Sequence, residues 1–351
     1  MRKFRVAISD DFMTPAERLA FPSVDLSPLD RDPRIDWSFV PVENGKVPAE
    51  SVEGADALIL LAATFDASSF PRDGRLALIA RFGVGYDNVD VEACDANNVA
   101  LAITPSGVRR PVAVAIMTFV LALSGNLLIK DRLARGGPDG WKRRSDHMGR
   151  GLVGLTLGSI GVGNIGAELF RLAGPFGMNF IAHDPFASEE AARGLGVGLV
   201  ELDDLFRRAD FLCVNCPLTE ETEGLVDAAK LSLMKPTAYL INTARGPIVD
   251  QRALTECLAE KRIAGAGLDV FKDEPSNADD PLFSFENVIA TPHSLCWTDQ
   301  CFAEIGAADI RAVKCVMEGR VPEGVVNESI VDNSAWIAKL NAFRSSFGSE
   351  K

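Results

Sequence analysis

Few residues of this chain carry obvious chemistry. Histidine occurs three times in 351 residues, and an imidazole that changes charge near neutrality is a natural proton shuttle. His147 stands in a charged stretch, and His183 stands beside an aspartate. His293 lies in IATPHSLCWTDQC, directly after an apolar run that reads as a strand. Ligands of an open α/β sheet bind beyond the carboxyl ends of the strands, which singles out His293. Taken alone, however, a single histidine is more often structural.

A second constellation is LGSIGVGNIGAELF, with Gly161, Gly163 and Gly166 in G-x-G-x-x-G spacing. The spacing is weak evidence by itself. Here it follows an apolar strand and opens a helix, the context a dinucleotide turn needs. The first glycine permits the tight turn, the second lets a pyrophosphate approach the backbone, and the third lets helix and strand pack closely. The N–H groups at the helix start then face the phosphates. Asp184 follows at the end of FIAHD. An acid there accepts hydrogen bonds from the adenosine ribose hydroxyls and repels a 2′-phosphate, so the expected cofactor is NAD rather than NADP.

These groups need a scaffold. In the first hundred residues FRVAIS, ADALILLA, LALIARFG and VALAIT read as strands separated by helical patterns, which suggests a parallel, doubly wound sheet. An apolar helix follows, with Pro111 suited to its first position. RGGPDGWKRRSDHMGRG (135–151) reads as a loop. A second series of strands then runs through LTLGSI, NFIAHDPF, DFLCVNCPL, AYLINTAR, IAGAGLDVF and NVIATPH, and the tail from about 299 looks helical.

Several motifs now stand in order: RFGVGYDNVD, GSIGVGNIG, CPLTEETEGLV, INTARGPIVD, GLDVFKDEP and ATPH, from about residue 81 to 293. In that order they resemble the D-isomer-specific 2-hydroxyacid dehydrogenases. The resemblance implies an α/β fold of two doubly wound domains. A Rossmann NAD-binding domain at 105–298 would be inserted into a flavodoxin-like substrate-binding domain at 1–104 plus 299–351. It implies hydride transfer between NAD(H) and a D-2-hydroxy acid or 2-keto acid. Arg245 then looks like the group that binds the substrate carboxylate and carbonyl, Glu274 like the partner of the histidine, and His293 like the acid/base. Val84 and Gly85 resemble backbone donors to the substrate carboxylate. Asp269 resembles the residue that holds the nicotinamide carboxamide. Asn164, Ile165, Cys216, Pro217, Thr222, Thr243, Ala244 and His293 complete the implied cofactor contacts. These residue types suit the chemistry. A planar guanidinium that never titrates binds a carboxylate in two-point fashion, and a carboxylate beside an imidazole orients it and favours its protonated form.

The chain departs from the family in two places. Small residues commonly follow the histidine, whereas here the run is Ser294, Leu295, Cys296 and Trp297. Trp297 either lines the substrate pocket or packs against the returning helix. Val108 and Val114 stand where relatives usually carry Asn and Glu, and Arg109 and Arg110 open the helix instead. They meet a second anionic or polyhydroxylated part of the substrate, or else are a solvated pair. These departures concern the substrate, not the reaction. Two alternatives remain from the family: a phosphite-type dehydrogenase, and an NAD-binding corepressor-like protein with weak turnover. Relatives that oxidise formate have Gln where this chain has Glu274. Relatives also place the apolar helix at a subunit interface, so a homodimer is expected.

Bulk properties exclude other classes. The net charge is −13 with a pI near 4.8, which argues against nucleic acid or an anionic membrane as a partner. PVAVAIMTFVLALSGNLLI is about long enough to span a bilayer, but Ser124, Gly125 and Asn126 interrupt it, so it reads as a buried helix. The N-terminus shows no secretory pattern, and seven cysteines read as reduced thiols in a cytoplasm. Cys213 and Cys216 have metal-like spacing but lie in a buried strand without a second pair, so no metal is expected.

Overall fold

The computed structural model describes residues 2–348. The chain divides into two compact units, one made of residues up to Val108 together with those from Trp297 on, the other running from Arg109 to Cys296. Each is an α/β unit around one parallel sheet.

In the first unit the strands are β1 (Phe4–Ser9), β2 (Ile35–Val40), β3 (Ala57–Leu60), β4 (Leu78–Arg81) and β5 (Ala100–Ile103), in the order β2-β1-β3-β4-β5. All pair in parallel. This is the flavodoxin-like order. ALIL of β3 is buried at every position, as a central strand covered on both faces must be. Its core gathers Val52, Leu58, Leu60, Phe65, Ile79 and Leu101. Helix Asp299–Met317 starts where the Thr298 hydroxyl accepts the Cys301 N–H and belongs to this unit. So does helix Ser334–Phe347. Its Trp336 is fully buried and donates from Nε1 to the Ala77 carbonyl at 2.9 Å.

The second unit holds β6 (Thr156–Ile160), β7 (Asn179–His183), β8 (Val197–Leu199), β9 (Phe211–Val214), β10 (Tyr239–Asn242), β11 (Gly265–Leu268) and β12 (Val288–Ala290). The order β12-β11-β10-β9-β6-β7-β8 is the Rossmann order with one further strand. The sequence reverses direction between β6 and β9, the switch point at which such sheets bind ligands. Gly267 lets helix Pro105–Ser124 close on the sheet, since a Cβ there would meet the Phe119 ring at 2.7 Å. That helix is the one among the described residues long and apolar enough to cross a membrane, and 61% of its apolar stretch is buried within the protein.

Five features differ from the expectations. β2 and β8 were not anticipated: IDWSFV is an edge strand of mixed burial, and β8 has three residues, too few for a period to show. Residues 137–147 are mostly helical turns, Gly137–Lys142 and Arg144–His147. Gly140 packs so tightly on the Leu133 backbone that no side chain fits there, so that glycine serves packing rather than a loop. The apolar helix starts at Pro105, and Pro111 lies inside it. Pro105 takes the first position, and Gly107 follows against Ile305. The tail carries a second helix beyond Met317 because Trp336 anchors it.

Candidate active site

The glycine turn leaves the end of β6. Gly161 has φ +97°, a conformation open chiefly to glycine. A Cβ on Gly166 would lie 2.5 Å from the Gly161 carbonyl oxygen, so the helix can sit on the turn only without a side chain. At Gly163 the same Cβ would meet nothing within 4 Å, leaving an open cradle. Gly163 is the N-cap of helix Asn164–Ala173 and supplies no side-chain cap. The N–H groups of Gly163, Asn164 and Ile165 have no partner among the described residues. An open cradle with unpaired donors at a helix start fits the pyrophosphate of a dinucleotide.

Asp184 follows β7. Its Oδ2 accepts from the Val162 N–H at 2.8 Å and its Oδ1 from the Phe186 N–H at 2.9 Å. The acid therefore also fixes the glycine turn, a role its position in the sequence did not reveal. Each oxygen keeps a lone pair for a ribose hydroxyl. The backbone at Asn215 and Cys216 lies against Gly161. Thr222 closes the following loop: its hydroxyl donates to the Pro217 carbonyl at 2.7 Å and accepts from the Thr219 N–H at 2.7 Å. Burial pushes the Cys216 thiol up to about 11. Cys213 is buried in β9, and its thiol is raised too.

Arg245 comes off the end of β10. Buried Asn242 organises that turn, donating from Nδ2 to the Arg245 carbonyl at 2.9 Å and accepting from the Ala244 N–H at 3.0 Å. Asn242 was missed from sequence, although an amide closing an apolar strand is a visible signal. Gly246 lies so close to the Phe271 backbone that no Cβ fits. The Thr243 hydroxyl is buried without a hydrogen-bond partner among the described residues.

Glu274 and His293 meet. Glu274 Oε2 lies 2.7 Å from His293 Nδ1, while Oε1 accepts the Phe271 N–H at 2.9 Å. Partial burial pushes the Glu274 carboxyl up. The His293 hydrogen bond, the Phe271 N–H and the charges of His293 and Arg245 outweigh it, so the carboxyl stays below its ordinary range. An ionised carboxylate at Nδ1 requires Nδ1–H, which leaves Nε2 as the nitrogen that can exchange a proton. Nε2 has no partner among the described residues.

The loop that presents the ring is held by Asp269, only 3% exposed. Its Oδ1 accepts from the Thr291 hydroxyl at 2.6 Å and from the N–H groups of Ser294 and Leu295 at 2.9 and 3.1 Å. Its backbone carbonyl accepts the His293 N–H at 2.8 Å. These bonds hold His293 at φ +51°, a left-handed conformation unusual for a side chain other than glycine. Among the described residues Oδ2 accepts only from the Leu295 N–H, at 3.2 Å, and so retains acceptor capacity.

Val84 and Gly85 lie in the first unit, after β4. The N–H groups of both lack an acceptor among the described residues. Gly83, at φ +121°, is fixed by Thr104, which is 2% exposed. The Thr104 hydroxyl accepts the Gly83 N–H at 2.9 Å, and the Thr104 N–H donates to the Gly83 carbonyl at 2.8 Å. Arg81 donates to the Phe82 carbonyl. Trp297, 52% exposed, packs edge-to-face with Phe302 of helix Asp299–Met317 at 5.3 Å and with Phe21 at 5.4 Å. Arg110 pairs with Glu168 of the helix after the glycine turn at 2.7 Å. Hydrogen bonding from Arg110 is the main reason the Glu168 carboxyl is lowered, with Arg109 adding its charge.

Comparison with known proteins agrees on one group. The model of the D-isomer specific 2-hydroxyacid dehydrogenase NAD binding domain matches residues 117–294. A glyoxylate reductase of Korarchaeum cryptofilum is 36% identical over 318 residues, covering 88% of this chain and 94% of its own length. A D-3-phosphoglycerate dehydrogenase of Methanocaldococcus jannaschii is 36% identical over 280 residues, covering 79% of this chain but 53% of the relative. Among solved structures, a D-lactate dehydrogenase from Aquifex aeolicus complexed with NAD and lactic acid superposes with a TM-score of 0.75 at 27% identity. That match covers 93% of this chain and 97% of the other.

Proposed function

The chain belongs to the D-isomer specific 2-hydroxyacid dehydrogenase family and uses NAD, and from that premise we propose that it interconverts a D-2-hydroxy acid and its 2-keto acid. His293 is the acid/base, Glu274 its partner, and Arg245 the group that holds the substrate carboxylate and carbonyl oxygen. Residues 105–298 form the NAD-binding domain, and 1–104 with 299–351 the substrate domain. The glycine turn and Asp184 hold the dinucleotide, with Asp269 Oδ2 available to its carboxamide.

NAD, when bound, exchanges a hydride with the carbonyl carbon. The protein supplies the rest. Arg245 binds the carboxylate through charge-assisted hydrogen bonds and polarises the carbonyl. In reduction His293 gives its Nε2 proton to the carbonyl oxygen; in oxidation it takes the hydroxyl proton. Glu274 fixes the tautomer and stabilises the imidazolium. The Val84 and Gly85 N–H groups bind the carboxylate from the backbone.

The observation that carries this reading is the 2.7 Å Glu274–His293 pair, which turns the unpartnered Nε2 into the exchanging atom. The test is NADH oxidation with a panel of 2-keto acids, glyoxylate to hydroxypyruvate and larger. Turnover on at least one member, lost in His293→Ala, is expected. No turnover on any member while NADH binds would overturn the reading.

A cytoplasmic homodimer completes it. A chain of this size with seven cysteines suits reduced thiols in a reducing compartment. Leu121, Leu127, Leu128 and Trp141 are 43–59% exposed, an apolar surface of the kind partners cover. A concentration-independent monomer in small-angle scattering would refute the dimer.

A further inference from the structure

An aromatic cluster adjoins the loop that carries Val84 and Gly85. Phe21 and Phe302 stack at 4.0 Å with their planes 14° apart. Phe82 lies nearly parallel to both, at 6.0 Å from Phe21 and 5.8 Å from Phe302. Phe12 meets Phe82 edge-to-face at 5.0 Å. Trp297 is almost equidistant from Phe21 and Phe302, at 5.4 and 5.3 Å, with its plane 88° and 78° from theirs. It therefore stands at the side of the stack. Burial grades across the cluster: Phe12 and Phe82 are 2% and 4% exposed, whereas Trp297 is 52% exposed.

We propose that Trp297 and Phe21 form the subsite for the substrate side chain, and that the preferred 2-keto acid carries an aromatic or branched apolar group. The proposal rests on the dehydrogenase reading above and on Val84 and Gly85 as carboxylate donors. Phe82 directly precedes Gly83, so the buried end of the cluster and the carboxylate donors share one loop. A carboxylate on Val84 and Gly85 would thus leave the rest of a keto acid beside the aromatic side chains. Rings packed on one another keep little freedom to lose, so they bind an apolar group at low entropic cost. Their quadrupoles favour an aromatic guest in edge-to-face or offset contact. Glyoxylate has no side chain and gains nothing from such a surface.

The test is steady-state reduction by NADH of glyoxylate, pyruvate, 4-methyl-2-oxopentanoate and phenylpyruvate. An apolar pocket discriminates about 10–200-fold per methylene it accommodates. The wild-type kcat/KM for phenylpyruvate or 4-methyl-2-oxopentanoate is therefore expected to exceed that for glyoxylate at least about tenfold. Trp297→Ala and Phe21→Ala should each reduce that ratio about tenfold, and Trp297→Phe should retain most of it. A role in folding alone would lower all substrates in proportion and leave the ratio intact. A wild type that favours glyoxylate, or a ratio that Trp297→Ala does not move, overturns the subsite. Failure to reduce any keto acid while NADH still binds overturns the dehydrogenase reading instead.

Discussion

Two loops at the strand ends are built in opposite ways. Thr291–Leu295, after β12, surrenders its backbone: the amides of His293, Ser294 and Leu295 are bound to Asp269, and the imidazole of His293 is what remains on offer. Phe82–Gly85, after β4, has only its flank bound. Thr104 takes both polar groups of Gly83, Arg81 donates to the Phe82 carbonyl, and the Val84 and Gly85 amides have no acceptor among the described residues. To present a side chain, the fold commits the backbone to a buried carboxylate. To present a backbone, it pins a glycine and leaves the next two amides alone. In both loops a residue at positive φ marks the turning point, His293 or Gly83.

The comparison can be broken most directly at the presented groups. His293→Ala should lower kcat about 10²–10⁴-fold, the usual worth of a general acid, as measured by NADH oxidation. Asp269→Ala removes the acceptor of two part-buried amides and should cost about 1–3 kcal/mol in urea denaturation, with kcat falling more than the keto-acid KM rises. Gly83→Ala places a Cβ against the Arg81 guanidinium at φ +121°, and about 1–3 kcal/mol of strain is expected. Its kinetic signature should be the reverse, a raised keto-acid KM with kcat less affected. If Asp269→Ala and Gly83→Ala changed kcat and KM alike, the two loops would not differ in the way described. Thr104→Val should give a milder form of the Gly83 effect, about 1 kcal/mol.

The smallest effect is one of pH. The Glu274 carboxyl titrates below its ordinary range in the folded state. Its contribution is therefore present above its unfolded value of about 4.3 and is lost as pH falls through the folded one. The side chain is 36% exposed, so screening keeps this below about 1 kcal/mol. Unfolding followed between pH 5 and 3 should depend on pH slightly less in Glu274→Gln. The Thr104 clamp of the other loop has no group that titrates there, and amide exchange at Gly83 should not share the dependence.

Much of the scaffold was legible because apolar runs and turn glycines are local signals. FRVAIS and LTLGSI read as strands and are β1 and β6. The edge strand IDWSFV and the three residues of β8 were not legible, since neither has the burial that makes a run apolar. The helical turns at 137–147 carry glycine and charge, and no buried residue. At the candidate site, strand-end position pointed to His293 and the family resemblance to Glu274, and the fold brings the two together. Asn242, Thr104 and the clamping role of Asp269 were not legible as such. Each acts through backbone groups that its own neighbours do not predict.

By itself, then, the sequence determined which groups are on hand: a three-glycine turn after a strand, an acid at the next strand tip, and an Arg, a Glu and a His in order behind later strands. Those facts are local, because strand ends and turns are encoded by the residues that form them. Tertiary structure alone decided what holds these groups. Asp184 reaches back 22 residues to Val162, Asp269 reaches forward 25 to Ser294, and Thr104 meets Gly83 from a neighbouring strand end, 21 residues away. Hydrogen bonds of that range depend on which strands lie side by side, and pairing across a sheet is a property of the whole fold rather than of any one segment.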